Sequence, residues 1–214
     1  MWLRYGAAIV LAYLLGALPV GYIAAKVFKG IDVRRVGSGR IGGSNVLRAA
    51  GILPAALTVL GDLAKGYGAV ALAGKIVPQH PLVAALAALL AVVGHNWPIF
   101  LGFKGGVGTM TTLGASVALL PAIALTVFIA GAVVVLIWRY TSLGSLTIAV
   151  ALPVACLVGT LAGGWPAAYL LFSLGSGLIA ILALRPNIRR LRQGTERKLG
   201  QTIPPGQADV TPSP

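Results

Sequence analysis

Acidic side chains are nearly absent from this chain: Asp32, Asp62, Glu196 and Asp209 stand against 17 Lys and Arg in 214 residues, for a formal net charge of +13. Charge of either sign is scarce as well, since only 10% of residues are charged and 57% are hydrophobic, whereas soluble domains carry about 25% charged residues. That shortage excludes an ordinary soluble core and makes the bilayer the solvent. Cysteine is reduced to Cys156, set in the apolar run Ala149 to Leu161, so an internal disulfide and a cysteine metal cluster are both excluded and the thiol reads as packing. The basic residues flank apolar spans in the manner of a cytoplasmic-side bias, which argues against nucleic acid and for an anionic substrate or leaflet.

What the chain has is long apolar runs. The first, about Leu3 to Ala25, has only Arg4 ahead of its centre and is long enough to span, so it reads as a retained first helix and not a cleaved signal. Further spans are expected at Ile52 to Gly74, Leu82 to Gly94, Thr111 to Trp138, Leu143 to Ala162 and Trp165 to Leu184. Six crossings would put both termini on one side. Yet the loop Lys26 to Arg48 and the tail Arg185 to Lys198 each carry six basic residues, and both belong inside. An odd number is therefore required. The stretch Gly105 to Trp138, at 1.5 Å per residue, is roughly 50 Å long against a hydrocarbon core of about 30 Å, and Pro121 supplies the break. The expectation is an all-α polytopic membrane protein of about seven transmembrane helices, amino terminus outside and carboxyl terminus cytoplasmic. Residues 1–200 read as a single membrane-embedded domain and 201–214, rich in Pro, Gly, Gln and Thr, as a disordered cytoplasmic tail.

That topology brings two glycine-rich basic loops to one face. In the first, Gly37, Gly39, Gly42 and Gly43 free the backbone, and Ser44 or Asn45 can cap the following helix, leaving N–H groups for an anion. Arg34, Arg35, Arg40 and Arg48 add cationic forks suited to phosphate. A flexible positive-inside linker is the competing reading. The second loop has Lys104, Gly105, Gly106 and Gly108 before Thr109, Thr111 and Thr112. Neither fits a nucleotide-binding P-loop, which needs a strand before the loop and a Lys-Ser/Thr after it.

Asp62 and Lys65 fall three apart within a span and share a helix face, as a functional pair or as an internal structural one. His95 and Asn96 follow the third span, where the histidine either transfers protons or positions the helix end. In the tail, Ile188 and Leu191 share a face among arginines, a pattern fit for an anionic leaflet. Glu196, the one acid there, is expected to organise ion pairs more readily than to act as a base.

These residues resemble a family. Asp32 to Asn45 gives Asp-x-Arg…Gly-Ser-Gly-x-x-Gly-x-Ser-Asn with Arg48 beyond; Gly61 to Gly66 gives Gly-Asp-x-x-Lys-Gly; Gly94 to Gly106 gives Gly-His-Asn-x-Pro-x-Phe-Leu-x-Phe-Lys-Gly-Gly; and Asn187 to Glu196 gives Asn-Ile-x-Arg-Leu-x-x-Gly-Thr-Glu. The order and content are similar to the bacterial membrane acyltransferases that use acyl phosphate to acylate glycerol 3-phosphate, the first step of phospholipid synthesis. The likeness runs over nearly the whole chain.

The resemblance implies a multi-pass protein of the bacterial inner membrane with its active site facing the cytoplasm, needing no metal, coenzyme A or other cofactor. Acyl phosphate, glycerol 3-phosphate and membrane lipid are the implied partners, with the acyl-phosphate-forming enzyme as a further candidate. By that analogy Ser38, Arg48 and Asn187 are catalytic. Gly37, Gly39, Arg40, Ser44, Asn45, Lys104, Gly105, Gly106 and Gly108 hold substrate phosphate, and His95, Asn96, Glu196, Asp62 and Lys65 support them. The chain also departs from the pattern: Arg40 stands for the usual Asn, Ser44 for Thr, Val107 for a second loop Lys, and Leu184 for a His three residues before Asn187. Those departures leave two alternatives, a diverged or inactive paralogue with another acceptor, and an anion or lipid-intermediate transporter.

Overall fold

The computed structural model describes residues 1–201, so Asp209 and nearly all of the tail expected at 201–214 lie outside the described residues. Within them the chain is helical, with no strand. In order come α1 (Trp2–Gly16), α2 (Val20–Lys29), α3 (Gly43–Ala50), α4 (Ile52–Ile76), α5 (Pro81–Asn96), α6 (Thr109–Leu119), α7 (Pro121–Trp138), α8 (Thr141–Leu161), α9 (Ala168–Ala183) and α10 (Arg185–Arg192), with short 3-10 turns at Val33–Arg35 and Ile99–Leu101. Five stretches are long and apolar enough to cross a membrane: Trp2–Lys29, Ile52–Ile76, Pro81–Leu101, Pro121–Trp138 and Thr141–Leu161. A sixth arises if α9 and α10, bent by 58° at their junction, count together.

The break expected at Pro121 is present, with α6 ending at Leu119 and α7 beginning at the proline; a proline ring at the first helical position needs no N–H partner there. At 11 residues, α6 is about 16 Å long. The first run is not one helix as expected. It breaks between Gly16 and Val20, where Pro19 has no N–H to continue the ladder. The Leu18 carbonyl freed there accepts from Lys65 Nζ at 3.0 Å.

Packing runs through small residues. A Cβ at Gly66 of α4 would strike the Thr111 carbonyl of α6, and one at Gly114 of α6 would strike Leu63 of α4, so these two helices touch backbone to backbone. Val70, Ala85, Leu113, Leu152 and Phe172 fill the centre between α4, α5, α6, α8 and α9, and a second cluster under the first loop joins Ala25, Val33, Ile41 and Val46. Leu125, Phe128, Ile129, Val133 and Leu136 of α7 stay exposed, the apolar outer surface that a lipid-facing helix requires.

Candidate functional site

The loop Val36 to Gly42 is shaped from inside by one amide. Asn45, 2% exposed, donates from Nδ2 to the carbonyls of Val33 (3.0 Å), Val36 (3.0 Å) and Arg40 (2.9 Å), and its Oδ1 accepts from the Ser38 N–H at 3.1 Å. Gly37 and Gly39 turn at φ 59° and 69°, in the left-handed region. The cap of α3 is therefore Gly42, not Ser44 or Asn45, because the Asn45 side chain is spent on the loop. Ser38, Gly42, Gly43, Ser44 and Arg48 come out on the wall of a cleft with about 840 Å³ of empty space, its open mouth included.

Other walls come from distant elements: Val59 and Asp62 of α4, His95 of α5, Val107 to Met110 at the start of α6, Thr141, Ser142 and Ser145 at the start of α8, Leu184, Asn187 and Arg190 at the α9–α10 junction, and Glu196 with Arg197 beyond it. A narrow apolar cavity adjoins the cleft at Thr109 and Ser145 and runs on past Ile148, Leu152, Gly177 and Ala180.

One network ties the walls together. Arg40 Nη1 donates to Asn187 Oδ1 at 3.0 Å and Arg40 Nη2 to the Ala183 carbonyl. Asn187 Nδ2 donates to Glu196 Oε1 at 2.7 Å, as does Ser142 Oγ at 2.8 Å, and Arg190 Nε reaches Glu196 Oε2 at 2.7 Å. Both carboxylate oxygens are thus occupied, as an ion-pair organiser's should be. Four guanidinium groups, Arg40, Arg48, Arg190 and Arg197, line the cleft against two carboxylates among the described residues, Glu196 between them and Asp62 deeper in the wall. Burial, with Arg190 beside Arg40 and Arg197 beside Arg48, pulls the pKa of Arg40 and Arg48 below the ordinary arginine value; both remain cations, at a cost that a bound anion would relieve. Arg48 Nε is buried with no partner among the described residues.

The second glycine loop departs from expectation. Gly105 and Gly106 donate their N–H groups to the carbonyls of Asn96 and His95, both at 3.1 Å, so these amides are not available to phosphate. Lys104 is exposed and off the cleft wall. Only Val107 and Gly108 of that loop reach it. Below lies a buried charge cluster: Asp62 Oδ1 is 2.9 Å from Lys65 Nζ and 3.4 Å from His95 Nδ1, with each side chain at most 4% exposed. His95 is thereby held between Asp62 and the backbone of Gly106, whose added Cβ would run into the imidazole. Asn96 Oδ1 faces Gly108 in the same way. Asp62, Lys65 and His95 thus form one buried cluster behind the loop, and Asn96 lies against its Gly108. Among the described residues no group of three or more His, Cys, Asp or Glu could hold a metal ion.

Sequence reasoning assigned no role in the site to Ser142, Ser145, Thr109, Arg190 or Arg197. The signal for the first two was present, since Ser142 and Ser145 sit one helical turn apart on an otherwise apolar span.

The profile of a family described as Glycerol-3-phosphate acyltransferase matches residues 6–194. A glycerol-3-phosphate acyltransferase of Rubrobacter xylanophilus is 45% identical over 192 residues, covering 90% of this chain and 94% of the relative. Glycerol-3-phosphate acyltransferase 2 of Moorella thermoacetica is 44% identical over 94% of this chain and 99% of its own. The crystal structure of PlsY (YgiH), an integral membrane glycerol 3-phosphate acyltransferase, superposes in its glycerol 3-phosphate form with a TM-score of 0.83 at 37% identity, covering 92% of this chain and 96% of that one. The lysophosphatidic acid form gives 0.79 at 35% identity, over 91% and 94%.

Proposed function

We propose a reaction for this chain on one premise: it belongs to the glycerol-3-phosphate acyltransferase family. It is an integral membrane acyltransferase of phospholipid biosynthesis, and the acceptor we assign to it is the one its family is named for, glycerol 3-phosphate. The donor we propose is acyl phosphate, the product lysophosphatidic acid, and the acyl-phosphate-forming enzyme the supplier. The acceptor's 1-hydroxyl attacks the acyl-phosphate carbonyl, a new ester C–O bond forms, the carbonyl–phosphate bond breaks, and the hydroxyl proton leaves with a phosphate oxygen.

The observation that carries this reading is the cationic cleft, with four arginines against two carboxylates, Glu196 and Asp62, that are each already paired. Two phosphate-bearing substrates repel each other, and fixed cations offset that repulsion while stabilising charge on the carbonyl oxygen and the departing phosphate. Glu196 has no free oxygen to act as base, which favours a substrate phosphate as proton acceptor. Arg48, with its unpartnered Nε, is the residue best placed to hold phosphate; Ser38 and Asn187, which line the same cleft, are the other catalytic groups of this reading. The adjoining apolar cavity, with about 210 Å³ of empty space, offers an apolar wall to the first carbons of an acyl chain.

For topology we propose seven crossings, counting α6 as a short one, with the amino terminus outside and the cleft open to the cytoplasm across a bacterial inner membrane. The support is that every loop meeting at the cleft is one that charge bias assigns to the inside.

A second reading keeps the chemistry and changes the acceptor. It draws on the positions of Val107 and Leu184, two departures from the family pattern that both face the cleft. One assay separates the possibilities: the purified protein is given glycerol 3-phosphate with either palmitoyl phosphate or palmitoyl-coenzyme A, and products are read by mass spectrometry. Lysophosphatidic acid from palmitoyl phosphate alone is expected. Product from the thioester alone contradicts the donor, and acylation of only some other polyol phosphate establishes the second reading.

A further inference from the structure

Helix α9 turns a row of leucines outward. Leu174, Leu178 and Leu182 follow one another at i+4 steps and all are exposed, as the lipid-covered side of a membrane helix is. The next position in that register is Arg185, three residues past Leu182, where α9 gives way to α10 through a bend of 58°. Arg189 and Arg192 continue along α10 at the spacing i, i+4, i+7, and all three arginines are exposed. One outward stripe therefore passes from leucine to arginine at the end of the span.

The other side of α10 is used differently. At about 100° per residue, Asn187 and Arg190 fall opposite the three arginines, and there they line the cleft. Ile188 and Leu191, half-buried, fill one flank between the two faces. The outer arginines have no anion inside the protein to answer them. Asp32, Asp62 and Glu196 are the carboxylic side chains in residues 1–201, and each has a cation of its own in Arg34, Lys65 and Arg190. Among the described residues Arg185, Arg189 and Arg192 form no ion pair.

An anion that meets this stripe has to sit where an apolar outer surface ends, since that is where the arginines begin. Lipid phosphate is held at that height. A guanidinium takes phosphate through two parallel N–H donors, and its stem can lie along apolar surface while the head reaches the polar layer.

We propose that the outer face of α10, formed by Arg185, Arg189 and Arg192, is a docking surface for the anionic phospholipid headgroups of the leaflet beside the cleft. The helix then meets lipid phosphate on one side and lines the cleft on the other. The surface is separate from the cleft, and its test needs no turnover.

The full chain, purified in detergent, is titrated with phosphatidylglycerol and separately with phosphatidylcholine, and retained lipid is counted by native mass spectrometry. Wild type should hold phosphatidylglycerol the more tightly. Arg189→Gln/Arg192→Gln is expected to weaken phosphatidylglycerol binding roughly 25-fold, about fivefold for each arginine near an anionic surface, with phosphatidylcholine retention and the calorimetric Kd for glycerol 3-phosphate within about twofold of wild type. Arg189→Lys/Arg192→Lys, which keeps the charge, retains most of the preference. Lys26→Gln/Lys29→Gln, an exposed pair of equal charge at the end of α2, retains it as well, and excess inorganic phosphate does not displace the lipid. Arg185→Gln/Arg189→Gln stands in if the first pair does not fold. Equal retention of the two lipids by wild type, or equal losses in the arginine and lysine pairs, overturns the proposal. So does displacement by inorganic phosphate, which marks a site for soluble anions, and so does a parallel loss of glycerol 3-phosphate affinity, which assigns these arginines to the cleft.

Discussion

Arg40 and Asn187, 147 positions apart in the chain, are joined by a hydrogen bond of 3.0 Å from guanidinium to amide oxygen. The amide's other end donates to Glu196 at 2.7 Å, and only a group that accepts on one side and donates on the other fits between an arginine and a carboxylate. Asn187→Ala is expected to lower acyl transfer about 10- to 100-fold, since hydrogen bonds to charged groups are each worth roughly 1.5–3 kcal/mol. Asn187→Asp sets two carboxylates against each other, so its deficit in melting temperature relative to wild type should shrink as pH falls and the pair takes up a proton. A deficit independent of pH contradicts this account.

Asn45 carries the first loop. Asn45→Asp keeps the shape but turns an oxygen toward the carbonyls of Val33, Val36 and Arg40, while Asn45→Ala removes these bonds and leaves Val33 and Val36 only their loop partners, the N–H groups of Val36 and Gly39. A loss of about 3 kcal/mol is expected for Ala, from roughly 1 kcal/mol per net hydrogen bond, and more for Asp. Thermal unfolding in detergent checks the order.

Two glycines near the cleft should answer differently to the same methyl group. Gly106→Ala drives a Cβ into the His95 imidazole, whereas Gly42, with nothing within 4 Å of an added Cβ, has room. Gly42→Ala at the cap of α3 should cost about 0.5 kcal/mol, since alanine is the poorer cap, and Gly106→Ala about 1–3 kcal/mol as overpacking in a closed site. Parallel melting curves decide; equal effects contradict the assigned packing.

Asp32 lies against Arg34, at 2.8 Å from Oδ2 to Nη2, and the arginine's hydrogen bonds hold its carboxyl below the ordinary aspartate value in spite of partial burial. A depressed folded-state pKa contributes stability above the unfolded value near 4, lost as pH falls through the folded one. Asp32→Asn should therefore be less stable than wild type by no more than about 1 kcal/mol at pH 7, and the difference should shrink steadily as pH falls below about 4. Melting temperatures across that interval measure it.

The spans were legible because hydrophobic runs of bilayer length leave little else to be, and the Pro121 break followed from length alone. Pro19 escaped because the run around it, Leu3 to Ala25, already had the length of one span and gave no reason to divide it. In the site, the first loop was legible by its glycines and arginines, but the real use of Asn45 was not: an amide bonding to backbone carbonyls leaves no mark in sequence. Lys104 and Gly105 looked like phosphate ligands because basic glycine loops share one grammar, while the local contact of Gly105 and Gly106 with the end of α5 spends their amides. Arg190 and Arg197 looked like leaflet-facing charge, and only the 58° bend after α9 and the return of the chain beyond α10 bring them into the cleft.

Arg48 gives the most direct test of the whole account. Purified wild type, Arg48→Ala and Ser38→Ala are incubated with palmitoyl phosphate and glycerol 3-phosphate, and lysophosphatidic acid is quantified by mass spectrometry. Wild type should form it, and both variants, folded and extracted normally, should lose at least about 100-fold, the loss seen when a charge-stabilising donor is removed from an active site. Lysophosphatidic acid formed at the wild-type rate by Arg48→Ala would place the chemistry elsewhere and contradict the claim that this cleft performs it.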